Sequence, residues 1–151
     1  MKRLEGRVIL VAGGGAIGGA LARRYAAEGA SVVLGDIDGQ GTEAVVRAIV
    51  AQGGAALACH LDGAIETSIK AAVALCRDAF GALDGLHVNF AAFEDDVADI
   101  GVLELSLDTF GRMMEVNVRG HLLCTRCALP ELIARGGSAI LYTSSIAAYI
   151  A

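Results

Sequence analysis

The feature that most constrains this chain lies near its start. The apolar run Val8-Ile9-Leu10-Val11 leads straight into Gly13-Gly14-Gly15-Ala16-Ile17-Gly18, and Asp36 closes a second apolar run, 23 residues beyond Gly13. Short apolar runs without polar alternation suit strands buried on both faces of a parallel sheet. Glycines at these spacings carry the chain off a strand and into a helix. Strand, glycine turn, helix, strand and acidic tip together make a βαβ unit of the dinucleotide-binding kind.

Each glycine has a physical task in that unit. Gly13 permits a sharp turn that a side chain would strain. Gly15, lacking Cβ, lets the backbone approach a pyrophosphate, and Gly18 lets the following helix pack closely, with Ile17 between them at the cofactor. The helix, expected from about Ala16 to Glu28, points its free N–H groups and positive dipole end at the phosphates. Asp36 is placed to accept hydrogen bonds from the adenosine ribose hydroxyls. A 2′-phosphate would meet that carboxylate with no Lys or Arg in the glycine turn to offset it, so NAD is favoured over NADP.

The rest of the composition narrows the class. The 151 residues form a single domain, with 55% hydrophobic and only 19% charged residues, an excess that buried parallel strands explain. A net charge of −5 with scattered basic residues argues against nucleic acid as a partner. No apolar run reaches the roughly 18–20 residues needed to cross a membrane. Lys2, Arg3 and Arg7 ahead of Val8–Ala22 imitate a secretory signal, but glycines interrupt the run and Glu5 sits among the bases. A cytoplasmic location is expected. Cys124-Thr125-Arg126-Cys127 lacks a second ligand pair for zinc, and it falls inside a helix rather than at its start. His121 extends the pattern, but positions six apart diverge by about 120° around a helix. Cys59, Cys76, Cys124 and Cys127 are therefore expected to be buried structural thiols.

Strand signals recur at Arg7–Ala12, Ser31–Gly35, Ala55–His60, Gly85–Phe90 and Ser138–Thr143. Helical stripes separate them. Val45, Val46, Ile49 and Val50 share one face, and Ile65, Ile69, Val73, Cys76 and Phe80 make another. Leu107, Phe110, Met114, Val118 and Leu122 make a third, with Ser106 as its N-cap. Strict strand–helix alternation predicts an α/β fold with right-handed crossovers. The acidic loop Ala91–Leu105, with Glu94, Asp95, Asp96, Asp99 and Glu104, reads as a solvated loop and is assigned no metal.

With these residues in place, the whole chain resembles a short-chain dehydrogenase/reductase. Ala12 to Gly18 is similar to the family's TGxxxGxG turn, with Ala12 for Thr, Ala16 for the middle Gly and one residue fewer. Asp62, after the third strand, matches the family Asp at the adenine; its structural alternative is an N-cap for the next helix. Val88-Asn89-Phe90-Ala91-Ala92 resembles the NNAG segment behind the cofactor, with Val88 or Phe90 replacing one Asn. Glu115-Val116-Asn117-Val118-Arg119-Gly120 resembles the segment bearing the active-site Asn, which in the family holds a water in a proton relay. Asn between two valines is a poor helix former, which points beyond packing. Gly137 to Ser145 resembles the fifth strand leading to the catalytic Ser, mapped to Ser145. The resemblance implies a Rossmann-type doubly wound parallel sheet, five strands here in order 3-2-1-4-5. It also implies hydride transfer between an alcohol or ketone and NAD.

The family's general acid/base is a Tyr in a YxxxK pair about a dozen residues beyond that Ser. No Tyr here has a Lys four residues on, and Tyr149 lies only four beyond Ser145. Losing a positioned acid/base typically removes roughly 10²–10⁴ in rate. The chain therefore reads as the cofactor-binding portion of a dehydrogenase, with a non-catalytic nucleotide-binding module as the alternative. FAD fits Gly13–Gly18 and Asp36 alone but not the Asn117 and Ser145 matches. A methyltransferase would carry an acidic residue where Val8–Ala12 has none. Family members are homo-oligomers, and here the fifth strand and the neighbouring helical faces are expected to be left bare, an incomplete interface.

Overall fold

The computed structural model describes residues 2–93 and 100–146. Five parallel strands, β1 (Val8–Ala12), β2 (Ser31–Asp36), β3 (Ala55–His60), β4 (Gly85–Val88) and β5 (Ala139–Tyr142), lie in the order β3-β2-β1-β4-β5. Helices α1 (Ala16–Ala27) and α2 (Gly39–Ala51) join β1, β2 and β3. Helix α3 (Glu66–Phe80) leads to β4. Helices α4 (Leu107–Met114) and α5 (His121–Arg135), joined by a π-helical stretch over Glu115–Gly120, precede β5. The expected doubly wound architecture and strand order are those observed. Among the described residues no helix is long and apolar enough to cross a membrane. Glu94, Asp95, Asp96, Asp99 and Tyr149 lie outside the described residues.

The apolar runs make strands because both of their faces are covered. Along β1, Val8, Leu10 and Ala12 enter the core beneath α3 and α5, while Ile9 and Val11 enter the core beneath α1 and α2. Ile69, Val73 and Cys76 of α3 and Val45 and Ile49 of α2 are buried, Phe80 and Val46 are partly buried, and Val50 and Ile65, the latter the cap ahead of α3, are exposed. Strand β4 stops at Val88, two residues short of the expectation. The N–H groups of Asn89 and Phe90 both turn to the Ala12 carbonyl, at 2.7 and 3.2 Å.

The third stripe requires correction. Ser106 does cap α4, its hydroxyl accepting from the Thr109 N–H at 3.2 Å. However, Leu107, Phe110, Met114, Val118 and Leu122 are all exposed, Leu107 at 84%. The residues that pack inward are Leu123, Cys124, Ala128 and Leu132 of α5. Leu107, Phe110 and Met114 lie on α4 ahead of the π-helical stretch over Glu115–Gly120, so helical spacing groups these residues but on a side turned away from the core. Leu141 and Tyr142 of β5 are about half exposed.

Asp84 organises the N-terminal end of the sheet, although nothing in the sequence pattern singled it out. Its backbone N–H donates to the Val8 carbonyl and its carbonyl accepts from Ala139. Its carboxylate accepts from Val8 N–H, Arg7 and Arg135, each at 2.9 Å. One side chain thereby ties β1, β4 and the end of α5. Burial pushes the Asp84 carboxyl up, but the Val8 N–H and the two guanidinium groups outweigh it and hold it below its ordinary value. A depressed aspartate stabilises the fold fully above the unfolded value, about 3.9, and loses that contribution as pH falls through the folded value. Because Arg7 and Arg135 are half exposed and stay solvated, the main loss on truncation is the buried Val8 N–H bond. Asp84→Ala is expected to lower unfolding free energy by about 2–3 kcal/mol at pH 7. Urea titrations should show the difference between the two proteins shrinking as pH falls below about 3.9.

Candidate functional site

The site is assembled at the C-terminal ends of the strands, where a doubly wound sheet opens a crevice as its strand order reverses. Gly13 leaves β1 at φ +107°, donating its N–H to the Gly35 carbonyl at 2.8 Å. A Cβ on Gly13 would lie 2.4 Å from the Phe90 nitrogen, and one on Gly18 would lie 1.7 Å from the Gly13 carbonyl oxygen. The first turn of α1 thus rests on the glycine turn itself as well as on the strand. Gly15 is different: nothing among the described residues lies within 4 Å of where its Cβ would be. It is the N-terminal boundary of α1, with no side-chain cap and no acidic residue in the first turn. The amide end of α1 therefore faces open space with its N–H groups available to an anion.

Asp36 ends β2 beside this turn. One carboxylate oxygen accepts the Gly14 N–H at 2.5 Å and the other the Asp38 N–H at 2.9 Å. The residue expected at the ribose also braces the glycine turn. A carboxylate has about four acceptor positions, so each oxygen retains one for a further donor. Asp62 is not the cap of α3, which is Ile65. Its carboxylate closes a turn on the Ala64 N–H at 2.9 Å. It lines a cavity of about 150 Å³ together with Asp36, Ile37 and Phe90. A second cavity, about 340 Å³, runs from Asp36 and Ile37 past Gly15 and Ile17 to Asn89 and Phe93. The two share Gly13, Asp36, Ile37, Phe90 and Ala91, so they form one trough across the ends of β1 to β4.

Asn89 follows β4 on the trough wall. Its amide nitrogen reaches the Gly13 carbonyl at 3.4 Å, while its amide oxygen is buried without a hydrogen-bond partner among the described residues. Asn117 lies within the π-helical stretch, clamping Ala92 from both sides: it accepts from the Ala92 N–H at 2.7 Å and donates to the Ala92 carbonyl at 3.1 Å. This explains an Asn in a valine-flanked helical segment, and it commits the side-chain amide to the loop after β4. Two residues that sequence reasoning did not select complete the grip. The His121 ring bonds the Phe90 carbonyl at 3.0 Å and meets the Phe90 ring edge-on at 5.0 Å. Phe90 in turn fits only because Gly63 and Gly120 have no side chains to meet it. Ser145 lies three residues past β5, at the same end of the sheet and exposed.

All four thiols are free; Cys76 and Cys124 are fully buried as expected, whereas Cys59 and Cys127 are only partly buried, packed against the edge of the core. Burial pushes Cys59 to about 11 and Cys76 and Cys124 to about 12, far from any thiolate at neutral pH. Among the described residues no group of His, Cys, Asp or Glu is arranged to hold a metal ion.

Residues 7–151 match the family described as short chain dehydrogenase. The chain is 40% identical over 150 residues to the cis-1,2-dihydrobenzene-1,2-diol dehydrogenase of Pseudomonas putida, covering 97% of this chain and 53% of that protein. It is 38% identical over 152 residues to a 2,5-dichloro-2,5-cyclohexadiene-1,4-diol dehydrogenase of Sphingobium indicum, covering 99% and 58%. Among solved structures, a short-chain dehydrogenase/reductase from Serratia marcescens superposes with a TM-score of 0.87 at 34% identity, covering 96% of this chain and 58% of that one. A short chain dehydrogenase from Burkholderia cenocepacia in complex with NADP gives 0.87 at 34%, covering 98% and 59%. The chain belongs to the short-chain dehydrogenase family, a family that binds a nicotinamide cofactor. It spans about half the length of the curated relatives it matches.

The two glycines of α1's entry separate packing from ligand approach. Gly18→Ala should cost about 3 kcal/mol or more, because backbone oxygen blocks its Cβ. Gly15→Ala should stay within about 1 kcal/mol. Paired thermal and urea unfolding curves check both.

Proposed function

We propose that this chain is the cofactor-binding portion of an NAD-dependent dehydrogenase that interconverts an alcohol and a ketone. The observation that carries the reading is the trough itself. It joins an uncapped helix N-terminus over an open Gly15, a carboxylate with spare acceptor positions at Asp36, and a buried unpaired amide oxygen on Asn89. The first suits a pyrophosphate, the second a ribose diol, and the third a ligand N–H or O–H donor. The residues present therefore fit a dinucleotide. Gly13, Gly15, Ile17 and Gly18 line its phosphate end, Asp36 and Asp62 its adenosine end, and Asn89 its inner wall.

When bound, the nicotinamide supplies the hydride acceptor or donor. The residues of this chain bind and orient. The α1 amides neutralise phosphate charge, and Asp36 discriminates against a 2′-phosphate by like-charge repulsion. Asn117 keeps Ala92, and with it the Phe90–Ala92 floor, in place. The Ser145 hydroxyl would donate to the substrate oxygen, stabilising the charge that develops there as hydride arrives. The reading requires a general acid/base that these 151 residues do not supply, since no Tyr has a Lys four residues on. Binding is thus a property of this chain, and turnover one of the protein that provides that group. Relatives named for cyclic diols make such diols the first compounds to assay. The reading also carries a homo-oligomeric assembly and a cytoplasmic location.

Calorimetric titration tests it. NAD should bind, with NADP roughly tenfold weaker or worse, a gap of about 1.4 kcal/mol. Asp36→Ala should weaken NAD more than NADP; equal losses would remove the ribose assignment. In the catalytically competent protein, Ser145→Ala should lower kcat by roughly 10²–10³. Binding without turnover of any alcohol there would identify a nucleotide-binding module instead.

A further inference from the structure

The sheet carries a polar chain that the trough does not use. His87 of β4 is 7% exposed. Its Nδ1 lies 2.8 Å from the Tyr25 hydroxyl of α1, and its Nε2 lies 3.1 Å from the Thr143 hydroxyl. Both ring nitrogens are therefore engaged, by groups from opposite ends of the chain. Thr143 is the first residue past β5 and stands two residues before Ser145.

Among the described residues, the four-residue strand β5 pairs with β4. On its α1-facing side Leu141 lines a cleft of about 370 Å³ together with Tyr25 and His87. The Thr143 N–H bonds the Val88 carbonyl at 2.9 Å, and the imidazole adds a second, side-chain attachment at the same residue. We infer that His87 is a positioning residue: its ring couples Tyr25 on α1 to Thr143, fixing the segment that leads into Ser145. The inference rests on the proposed role of Ser145 for its functional meaning, but the coupling itself needs neither cofactor nor substrate.

The bridge belongs to the neutral ring. A neutral imidazole has one donor and one acceptor, and each hydroxyl rotates to match whichever it meets. The groups facing it are Tyr25 from α1, Arg3 and Arg7 from the N-terminal segment, Asp84 ahead of β4, Ile9 from β1 and Leu141 from β5. Asp84 is already held by Arg7 and Arg135, so no unclaimed carboxylate among them favours an imidazolium. Burial pushes the His87 imidazole down. Its contribution to stability is complete above about pH 6.5, the ordinary value, and is lost as pH falls through the lower folded value.

Amide hydrogen exchange and long-range nitrogen NMR of the chain test this. His87→Leu, which removes both bonds, should speed exchange at Thr143 about tenfold, and Tyr25→Phe, which keeps the ring and removes only the hydroxyl, about threefold. The Leu10 and Val11 amides of β1 should be unchanged, and the His87 ring should show one neutral tautomer at pH 7. Tyr25→Phe carries the test if the leucine variant does not fold. Wild-type exchange at Thr143 in the variants, equal acceleration in β1, or a protonated ring at pH 7 would overturn the inference. If the exchange pattern holds while Ser145→Ala leaves kcat of the competent enzyme unchanged, the bridge stands and the catalytic reading of Ser145 falls.

Discussion

The domain depends on a crossing of three chain segments at the end of β1. The Ala12 carbonyl receives the N–H groups that close β4, Gly13 turns with positive φ between the ends of β2 and β4, and the first turn of α1 sits on the Gly13 carbonyl at Gly18. A single methyl group at either glycine would meet backbone atoms, which cannot swing aside as a side chain can. This contact sets where the α1 amides point and where Asn89 stands. The trough is therefore a consequence of packing before it is a consequence of any polar residue.

The opposite end of the sheet is tied by charge rather than by close approach. Asp84 gathers β1, β4 and α5 through one carboxylate, leaving its arginines in solvent and itself buried. Such a group is worth most where its partners include a buried backbone N–H, because that donor has no water to turn to. The sheet is thus pinned at both ends by different physics, and the strands between them need only be apolar.

The long helical passage between β4 and β5 makes the opposite compromise. Opening it into a π-helical turn at Asn117 weakens regular helix bonding, yet it brings the amide onto Ala92 and His121 onto Phe90. Along the same passage Leu107, Phe110, Met114, Val118 and Leu122 face outward, the first three already on α4 ahead of the π-helical turn. Irregular backbone in a helix at a candidate site is common for this reason, since it frees local geometry for function.

Much of this was legible in the residues. The glycine spacing, the apolar runs, the Ser106 cap, the inert thiols and the oddity of Asn117 all follow from rules that act over a few residues: steric freedom at φ, periodicity and helix propensity. Asp36 was legible as a candidate for the site, but its bracing of Gly14 was not. The partners of Asn117, Asp84 and His87 lie 25, 76 and 62 residues away in sequence, and no local pattern encodes such meetings. They exist only once strand order places β4 between β1 and β5. The orientation of the 107–122 stripe was likewise undetermined, because helical spacing tells which residues share a side and not whether that side meets the core. The sequence by itself determined which segments become buried strands and where the chain must turn. Tertiary structure decided which polar groups meet, because hydrogen bonds are short and directional and their partners are chosen by topology.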